Sequence, residues 1–187
     1  MPRGGLNSES VVSAAAALAD SEGLEAVTLT RLAAMLGIRP PSLYAHVDGL
    51  EDLRRRLGAR GSAELAATLA NAAAGRAEFD ALRAIADAYR AYAQANPGSY
   101  EAAQRAPDPR DATGAAAKQP VDLLRRVLRG YALEGDDALH AIRIVRAALH
   151  GFVTLERNGG FGLPLSLDET FDRLVAAVHA GLRASAL

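Results

Sequence analysis

The side chains best suited to chemistry lie between Arg39 and His46, in the segment Arg-Pro-Pro-Ser-Leu-Tyr-Ala-His. This segment offers a guanidinium, two hydroxyls and an imidazole close together along the chain. Such groups hydrogen-bond to phosphate oxygens and to the edges of bases, and the positive N-terminus of a helix beginning at Pro40 adds to the attraction for an anion. The segment therefore predicts a contact with nucleic acid, in which Ser42 and Tyr44 offer the hydroxyls.

Two short helices separated by a glycine turn must position these groups. Thr28 is a suitable N-cap for a helix over residues 29–36, whose apolar residues repeat at helical spacing, and Gly37 ends that helix. Two prolines fit the first turn of the next helix, where a missing N–H costs nothing, so a helix is predicted from Pro40 to about His46. This is the spacing of a helix-turn-helix, whose second helix enters the major groove of DNA.

The sequence contains few features of a catalytic or metal-binding site. The chain has no cysteine, and it contains no Gly-x-Ser-x-Gly, His-Glu-x-x-His, phosphate-loop or clustered-carboxylate pattern. His140, His150 and His179 fall on two predicted helices without a carboxylate at ligand spacing, which favours structural histidines over metal ligands. We therefore expect neither an enzyme activity nor a cofactor.

The composition predicts an all-α protein with about nine helices. Half of the 187 residues are hydrophobic and only 5% are aromatic, while alanine makes up roughly a fifth of the chain. No stretch approaches the roughly 20 apolar residues that a membrane span needs, and the N-terminus lacks the apolar core of a signal peptide. The predicted location is the cytoplasm, without a membrane partner, which also fits the absence of cysteine.

The positive charge of the chain is concentrated near its N-terminus. The net charge of the whole chain is −1, which argues against a protein that coats nucleic acid indiscriminately. Residues 31–60, however, contain six arginines against three acidic residues. We therefore expect DNA binding that is local and specific, confined to one edge of a small N-terminal unit that a long fourth helix ties to a larger helical body.

The larger body consists of amphipathic helices. A breaker at residues 96–98 ends the fifth helix, and a loop is predicted over residues 106–115. The eighth helix, from about Asp137 to Arg157, is apolar on so wide an arc that contact with another subunit is expected beside contact with its own core. The predicted dimer interface lies on the last two helices and consists of Ala148, Leu149, Phe171, Leu174, Val178 and Leu182.

The segment Thr28–Leu53, TLTRLAAMLGIRPPSLYAHVDGLEDL, resembles the helix-turn-helix of the TetR family of transcriptional regulators. Residues 89–100 and 149–162 resemble a subgroup of TetR C-terminal domains with a Trp-His-Gly signature, in which Leu149 stands in place of the Trp. The resemblance implies a DNA-binding domain over residues 1–50 and an effector-binding and dimerisation domain over residues 51–187. It also implies a homodimeric repressor that leaves a palindromic DNA operator when a small-molecule effector binds.

The same resemblance implies the roles of individual residues. Thr28 and Tyr44 would bind phosphates, and His46 would lie against the DNA backbone. The residues that would face bases are Thr30, Arg39, Pro41 and Ser42. The implied effector pocket would be lined by Tyr89, Tyr92, Tyr100, Leu124, Leu128, His150 and Phe152, although a plain hydrophobic core explains the spacing of the aromatic residues equally well.

Two positions depart from the family pattern. Leu50 stands where a Lys usually contacts a phosphate, so that contact is missing or comes from Arg54, Arg55 or Arg56 in the next turn, and the salt dependence of binding is expected to be shallow. For the arginine run itself, a solvated helix face is the favoured interpretation. Arg39 stands where a Ser or Thr commonly caps the recognition helix, and an Arg cannot cap but can read guanine.

An alternative function is a helical ligand-binding or scaffolding protein without DNA activity. Such a protein would make no use of the pattern from Ser42 to His46. A gel-shift assay against the DNA upstream of the coding region would distinguish the two functions.

Overall fold

The computed structural model describes residues 6–105 and 123–184, which form helices and turns and no strand. The helices are α1 (Ser8–Glu22), α2 (Leu29–Leu36), a 3-10 helix (Pro40–Ala45), α3 (Leu50–Ala73), α4 (Glu78–Ala95), α5 (Pro97–Ala103), α6 (residues 123–128), α7 (Gly135–Arg157) and α8 (Leu167–Ala184). The predicted all-α fold is confirmed. The predicted loop over residues 106–115 lies outside the described residues.

The described residues divide into two compact units. Unit 1 contains residues 6–64 and 95–105, and unit 2 contains residues 65–94 and 123–184. Helix α3 belongs to unit 1 as far as Glu64, and α5 belongs to unit 1 although it follows α4 in the chain. The compact units therefore do not divide at residue 50, while the assignment of DNA binding and effector binding to separate domains stays a prediction.

Unit 1 has a core that joins α1, α2, the Pro40–Ala45 helix and the first half of α3. Its most deeply buried side chains include Val11, Leu24, Val27, Leu32, Leu43, Val47, Leu53 and Leu57. Burying so many aliphatic side chains together fixes the angle between the short helices, which could not be stable alone.

Helix α5 is held in unit 1 by close backbone contacts and by one carboxylate. The Asp20 side chain accepts hydrogen bonds from the Ser99 N–H (2.8 Å) and from the Ser99 hydroxyl (3.0 Å), so α1 caps the first turn of α5. A Cβ on Gly98 would overlap the backbone of Ala19. A Cβ on Gly58 would lie 2.9 Å from the carbonyl oxygen of Ala102, so the glycines of α3 provide the surface on which α5 packs.

Unit 2 is organised around Arg90 of α4. The Arg90 Nε donates to a carboxylate oxygen of Glu156 (2.9 Å), and its Nη1 donates to Asp168 (2.7 Å). The guanidinium carbon lies 5.5 Å from the ring centre of Phe152 and 5.0 Å from that of Phe171. The hydrogen bond with Glu156 is the main reason why the pKa of Arg90 is raised. One side chain thus connects α4, α7 and the start of α8.

Among the described residues, α7 is the one helix with the length and apolar composition to cross a membrane. Seven of its residues, including Val145, Leu149 and Val153, are buried in the protein interior. Its exposed side also carries Arg143 and Arg146. This is the composition of a core helix, so the helix does not by itself indicate a membrane span.

Candidate nucleic-acid interface

The turn between α2 and the Pro40–Ala45 helix has the geometry expected from its glycine. The Arg31 N–H donates to the Thr28 hydroxyl (3.3 Å), which confirms Thr28 as the N-cap of α2. Gly37 adopts a φ of 68°, in the left-handed region, and the Ile38 N–H bonds back to the carbonyl of Ala33 (3.0 Å). The chain therefore reverses tightly and returns for the second helix.

The second helix of the pair is a 3-10 helix that ends at Ala45. The Ser42 N–H donates to the carbonyl of Arg39 (2.9 Å), and the His46 N–H donates to that of Leu43 (2.8 Å). Its six residues make about two turns, longer than most 3-10 runs, and the two prolines occupy the first turn, where a missing N–H costs nothing. Leu43 is fully buried against Leu32, so the opposite side of the helix is turned outward.

The predicted DNA contacts lie on the accessible side of this pair of helices. Tyr44 is 61% exposed although it is a large aromatic residue. The exposed members of the predicted set are Thr30, Arg39, Pro41, Ser42 and Tyr44, whereas Thr28 and His46 are half-buried. Their contacts with DNA stay a prediction, but the burial pattern leaves the hydroxyls and the guanidinium accessible to a partner.

A hydrogen bond that the sequence did not predict fixes the end of the second helix. The Ser8 hydroxyl donates to the carbonyl oxygen of His46 (2.9 Å). Ser8 is available for this bond because Asn7 caps α1 instead, accepting from the Ser10 N–H (2.8 Å) while Ser10 accepts from Asn7. No spacing rule links residues 38 positions apart, so only a contact in the folded chain could reveal the pair.

The arginine run at the start of α3 is paired with carboxylates of its own chain. Asp52 contacts both Arg55 and Arg56, and its oxygen accepts the N–H of Asp48 (3.0 Å). Burial alone would raise the pKa of Asp52, but the hydrogen bonds from Arg56, the Asp48 backbone and Arg55 outweigh burial and lower it. Arg54 lies within 3.4 Å of Glu51 and 3.6 Å of Glu25.

The residues of the predicted effector pocket fall in both units. Six of them, Tyr89, Tyr92, Leu124, Leu128, His150 and Phe152, belong to unit 2, whereas Tyr100 belongs to unit 1. All except His150 are buried. Burial, assisted by the positive charge of Arg146, lowers the pKa of His150, so its imidazole is neutral at neutral pH.

The predicted dimer residues differ in how much surface they offer. Leu149, Phe171 and Leu182 are buried within unit 2, while Ala148, Leu174 and Val178 are half-buried. The apolar side chains that face outward on α7 are Ile144, which is 55% exposed, and Leu155, which is 48% exposed. The role of the predicted set in a dimer stays a prediction.

His179 of unit 2 has protein partners, whereas His140 is exposed. The Tyr131 hydroxyl lies 2.8 Å from Nδ1 of His179, and the ring of Phe79 contacts the same imidazole in a tilted arrangement, with 4.8 Å between the ring centres. Burial, followed by the charge of Glu78, raises the pKa of Tyr131 to about 12, so its hydroxyl remains protonated. The described residues contain no group of three side chains suited to hold a metal ion.

Comparison with known proteins places this geometry in a family. The model of the tetracyclin repressor-like C-terminal domain matches residues 82–178. The uncharacterized HTH-type transcriptional regulator Rv0681 of Mycobacterium tuberculosis is 39% identical over 180 residues, which cover 95% of this chain and 82% of that protein. The regulator YobS of Bacillus subtilis is 41% identical over 184 residues, covering 97% of this chain and 95% of YobS.

Solved structures show the same fold. The TetR family protein ActR of Streptomyces coelicolor, in complex with (S)-DNPA, superposes with a TM-score of 0.69 at 20% identity, covering 98% of this chain and 100% of ActR. BioQ bound to its double-stranded DNA operator superposes with a TM-score of 0.65 at 24% identity, covering 96% of this chain and 99% of BioQ. The chain therefore belongs to the TetR family of helix-turn-helix transcriptional regulators.

Proposed function

We propose that a homodimer of this chain acts in the cytoplasm as a repressor that binds a palindromic operator through its two Pro40–Ala45 helices. The observation that carries the proposal is the exposed side of this segment: Arg39, Ser42 and Tyr44 face outward while Leu43 and Val47 anchor it in the core of unit 1. A rigidly anchored helix with accessible hydrogen-bonding groups is what base and phosphate contacts require. The operator-bound BioQ structure, which has the same fold, supports DNA binding by a chain of this fold.

The dimer contact is proposed on the outward sides of α7 and α8. Ile144, Ala148, Gly151 and Leu155 share one side of α7 at helical spacing and are exposed or half-buried. The exposed residues in the second half of α8 are small apart from Arg183, namely Ala176, Ala177, Ala180, Gly181 and Ala184. Small residues allow two helices to approach closely, and large apolar residues supply apolar surface to bury. In a dimer, α7 and α8 of both protomers would form a four-helix contact.

The effector site is proposed in unit 2, among the predicted residues that lie there. Tyr89, Tyr92 and Phe152 supply buried aromatic surface, and the neutral imidazole of His150 can donate or accept a hydrogen bond. ActR was solved with a small molecule bound, which supports a ligand-responsive role for a chain of this fold. A ligand with higher affinity for one state of the dimer than for the other would shift operator occupancy.

The proposed contact of Tyr44 can be tested on DNA that the wild-type protein selects from a random pool. We expect Tyr44→Ala to weaken binding to every duplex by about tenfold, because it removes a phosphate contact that carries no sequence information. Tyr44→Phe keeps the ring and removes only the hydroxyl, so it should weaken binding as Tyr44→Ala does if the hydroxyl makes the contact. Affinity is measured by fluorescence anisotropy, and the mass of the complex gives the number of protomers bound.

Several outcomes would contradict the proposal. Wild-type affinity in Tyr44→Ala would show that the exposed side of the Pro40–Ala45 helix does not face DNA. A single protomer on each selected duplex would contradict the dimer. Selection of no DNA at all would favour the alternative function without DNA activity.

A further inference from the structure

We propose that Arg54 makes the phosphate contact that Leu50 cannot make at the start of α3, and that Glu25 holds the Arg54 guanidinium until DNA displaces it. This inference rests on the proposed DNA binding and adds to it a phosphate ligand together with an internal competitor. It also singles out one arginine from a run of three that the sequence alone does not distinguish.

The first step concerns the other two arginines, which are committed to a buried carboxylate. The side chain of Asp52 is only 8% exposed and contacts both Arg55 and Arg56, with the Arg56 Nε at 2.8 Å. Removing either cation would leave a buried carboxylate with fewer hydrogen bonds, which is costly. Arg55 and Arg56 therefore stabilise the beginning of α3 and are poorly placed to exchange partners.

The contacts of Arg54 are of a different kind. Its two carboxylate neighbours, Glu51 and Glu25, are 83% and 80% exposed, and their oxygens lie at 3.4 and 3.6 Å, beyond the length of a strong ion-pair hydrogen bond. The Arg54 Nε is buried and has no hydrogen-bond partner among the described residues. The Arg54 side chain itself is only 17% exposed, against 42% for Arg55 and 35% for Arg56, so a phosphate reaches it only by displacing these exposed carboxylates, whose ion pairs stabilise a protein little.

The position of the Arg54 guanidinium is the second step. Side chains on a helix lean toward its N-terminus, and the contact with Glu51 shows that Arg54 reaches back to the first turn of α3. Leu50, which begins that turn, is itself packed against the core of unit 1 and offers no charge. The cation therefore reaches back toward the turn that begins with Leu50, where the family pattern has a Lys.

Glu25 is placed to compete with DNA. It precedes Thr28, the predicted phosphate ligand, by three residues, and its carboxylate also lies 3.6 Å from Arg105. An exposed carboxylate between two arginines lowers the positive potential that a phosphate meets there. Exchanging this carboxylate for a phosphate on binding explains how a unit rich in internally paired arginines can still bind DNA.

The test measures affinity for the selected duplex between 50 and 300 mM KCl for wild type, Arg54→Gln, Arg54→Lys, Arg55→Gln and Glu25→Gln. Each phosphate that a cation neutralises contributes about 0.9 to the slope of log affinity against log salt. We expect Arg54→Gln to lower the slope by about one for each bound protomer, Arg54→Lys to restore it, and Arg55→Gln to leave it unchanged. Glu25→Gln should tighten binding roughly two- to fivefold.

An unchanged slope in Arg54→Gln, or an equal loss in Arg55→Gln, would overturn the proposal. If Tyr44→Ala still weakens binding in that case, the proposed function stands and only the role of Arg54 falls. If Arg54→Gln does not fold, the affinity of Glu25→Gln for the selected duplex tests the proposal instead, because Glu25 is highly exposed and its replacement leaves the core intact. Binding by Glu25→Gln that is no tighter than wild type then overturns the proposal.

Discussion

The helices within unit 1 are held together by different contacts from those within unit 2. In unit 1 the helices approach until backbones touch, with Gly98 against Ala19 and Gly58 against Ala102. In unit 2 the helices are connected through long and aromatic side chains, with the Arg90 guanidinium over the rings of Phe152 and Phe171, which contact each other. Unit 1 should therefore be sensitive to added atoms, and unit 2 to lost ones.

This difference bears on what each unit is proposed to do. Backbone contacts and caps leave few alternative arrangements, which suits a surface that must match the groove of DNA within a fraction of an ångström. Side chains such as Arg90 have several rotamers and exchangeable partners, and Asp168, one of its two carboxylates, is 83% exposed. Helices connected through such side chains can rearrange around a ligand at a lower cost in free energy than helices whose backbones touch.

The largest effect is expected from Gly98→Ala in unit 1. The added Cβ would overlap the backbone of Ala19, which cannot move as a flexible side chain can, so we expect a loss of about 3 kcal/mol or more in the free energy of unfolding. Urea denaturation measures it. The control is Gly162→Ala, where nothing lies within 4 Å of an added Cβ, and stability should change by less than about 0.5 kcal/mol. Equal stabilities would refute the backbone contact.

A smaller loss is expected from Arg90→Met in unit 2. The change leaves Glu156, whose side chain is 11% exposed, without its main partner, and we expect a cost of about 2 kcal/mol in the free energy of unfolding. Arg83→Met is the control on the same helix, because Arg83 also contacts two carboxylates but is 38% exposed; it should cost under about 1 kcal/mol. Comparable losses in both variants would mean that burial does not distinguish the two networks.

The smallest of the three effects is expected from Asp52→Asn at the start of α3. Because the pKa of Asp52 is lowered in the folded protein, its ionised form stabilises the fold above its ordinary pKa of 3.8, and that contribution is lost as the pH falls through the lowered value. We expect the variant to be less stable by about 1 kcal/mol at neutral pH. The two proteins should converge in acid, as thermal unfolding across pH would show; a constant difference would contradict the role of the charge.

Much of the local structure could be predicted because it depends on neighbours in the chain. The cap at Thr28, the left-handed Gly37 and the prolines that begin the next helix were recognised from residue type and spacing, and all are present. The accessible sides of these helices follow from the same periodicity. What the periodicity could not show is that Ser8 would bond to His46, because that pair is remote in sequence.

The position of α5 shows the limit of such predictions. The sequence predicts a breaker at residues 96–98, yet α5 begins at Pro97, and nothing in its seven residues indicates which helices it will contact. In the structure it packs on α1 and α3, and Gly58 and Gly61 of α3 are the surface it packs on. The structural boundary at Glu64 follows from this packing and not from a change in composition.

The amino-acid sequence by itself determined the all-α class, the helix-turn-helix and the resemblance to the TetR family, because these depend on periodicity, capping and turn residues that act over a few positions. Only the tertiary structure decided which arginines of the run are committed to Asp52 and which one, Arg54, lies beside exposed carboxylates. The physical reason is that the partners of a charge depend on distance and burial in three dimensions, whereas three consecutive arginines are chemically identical in the sequence.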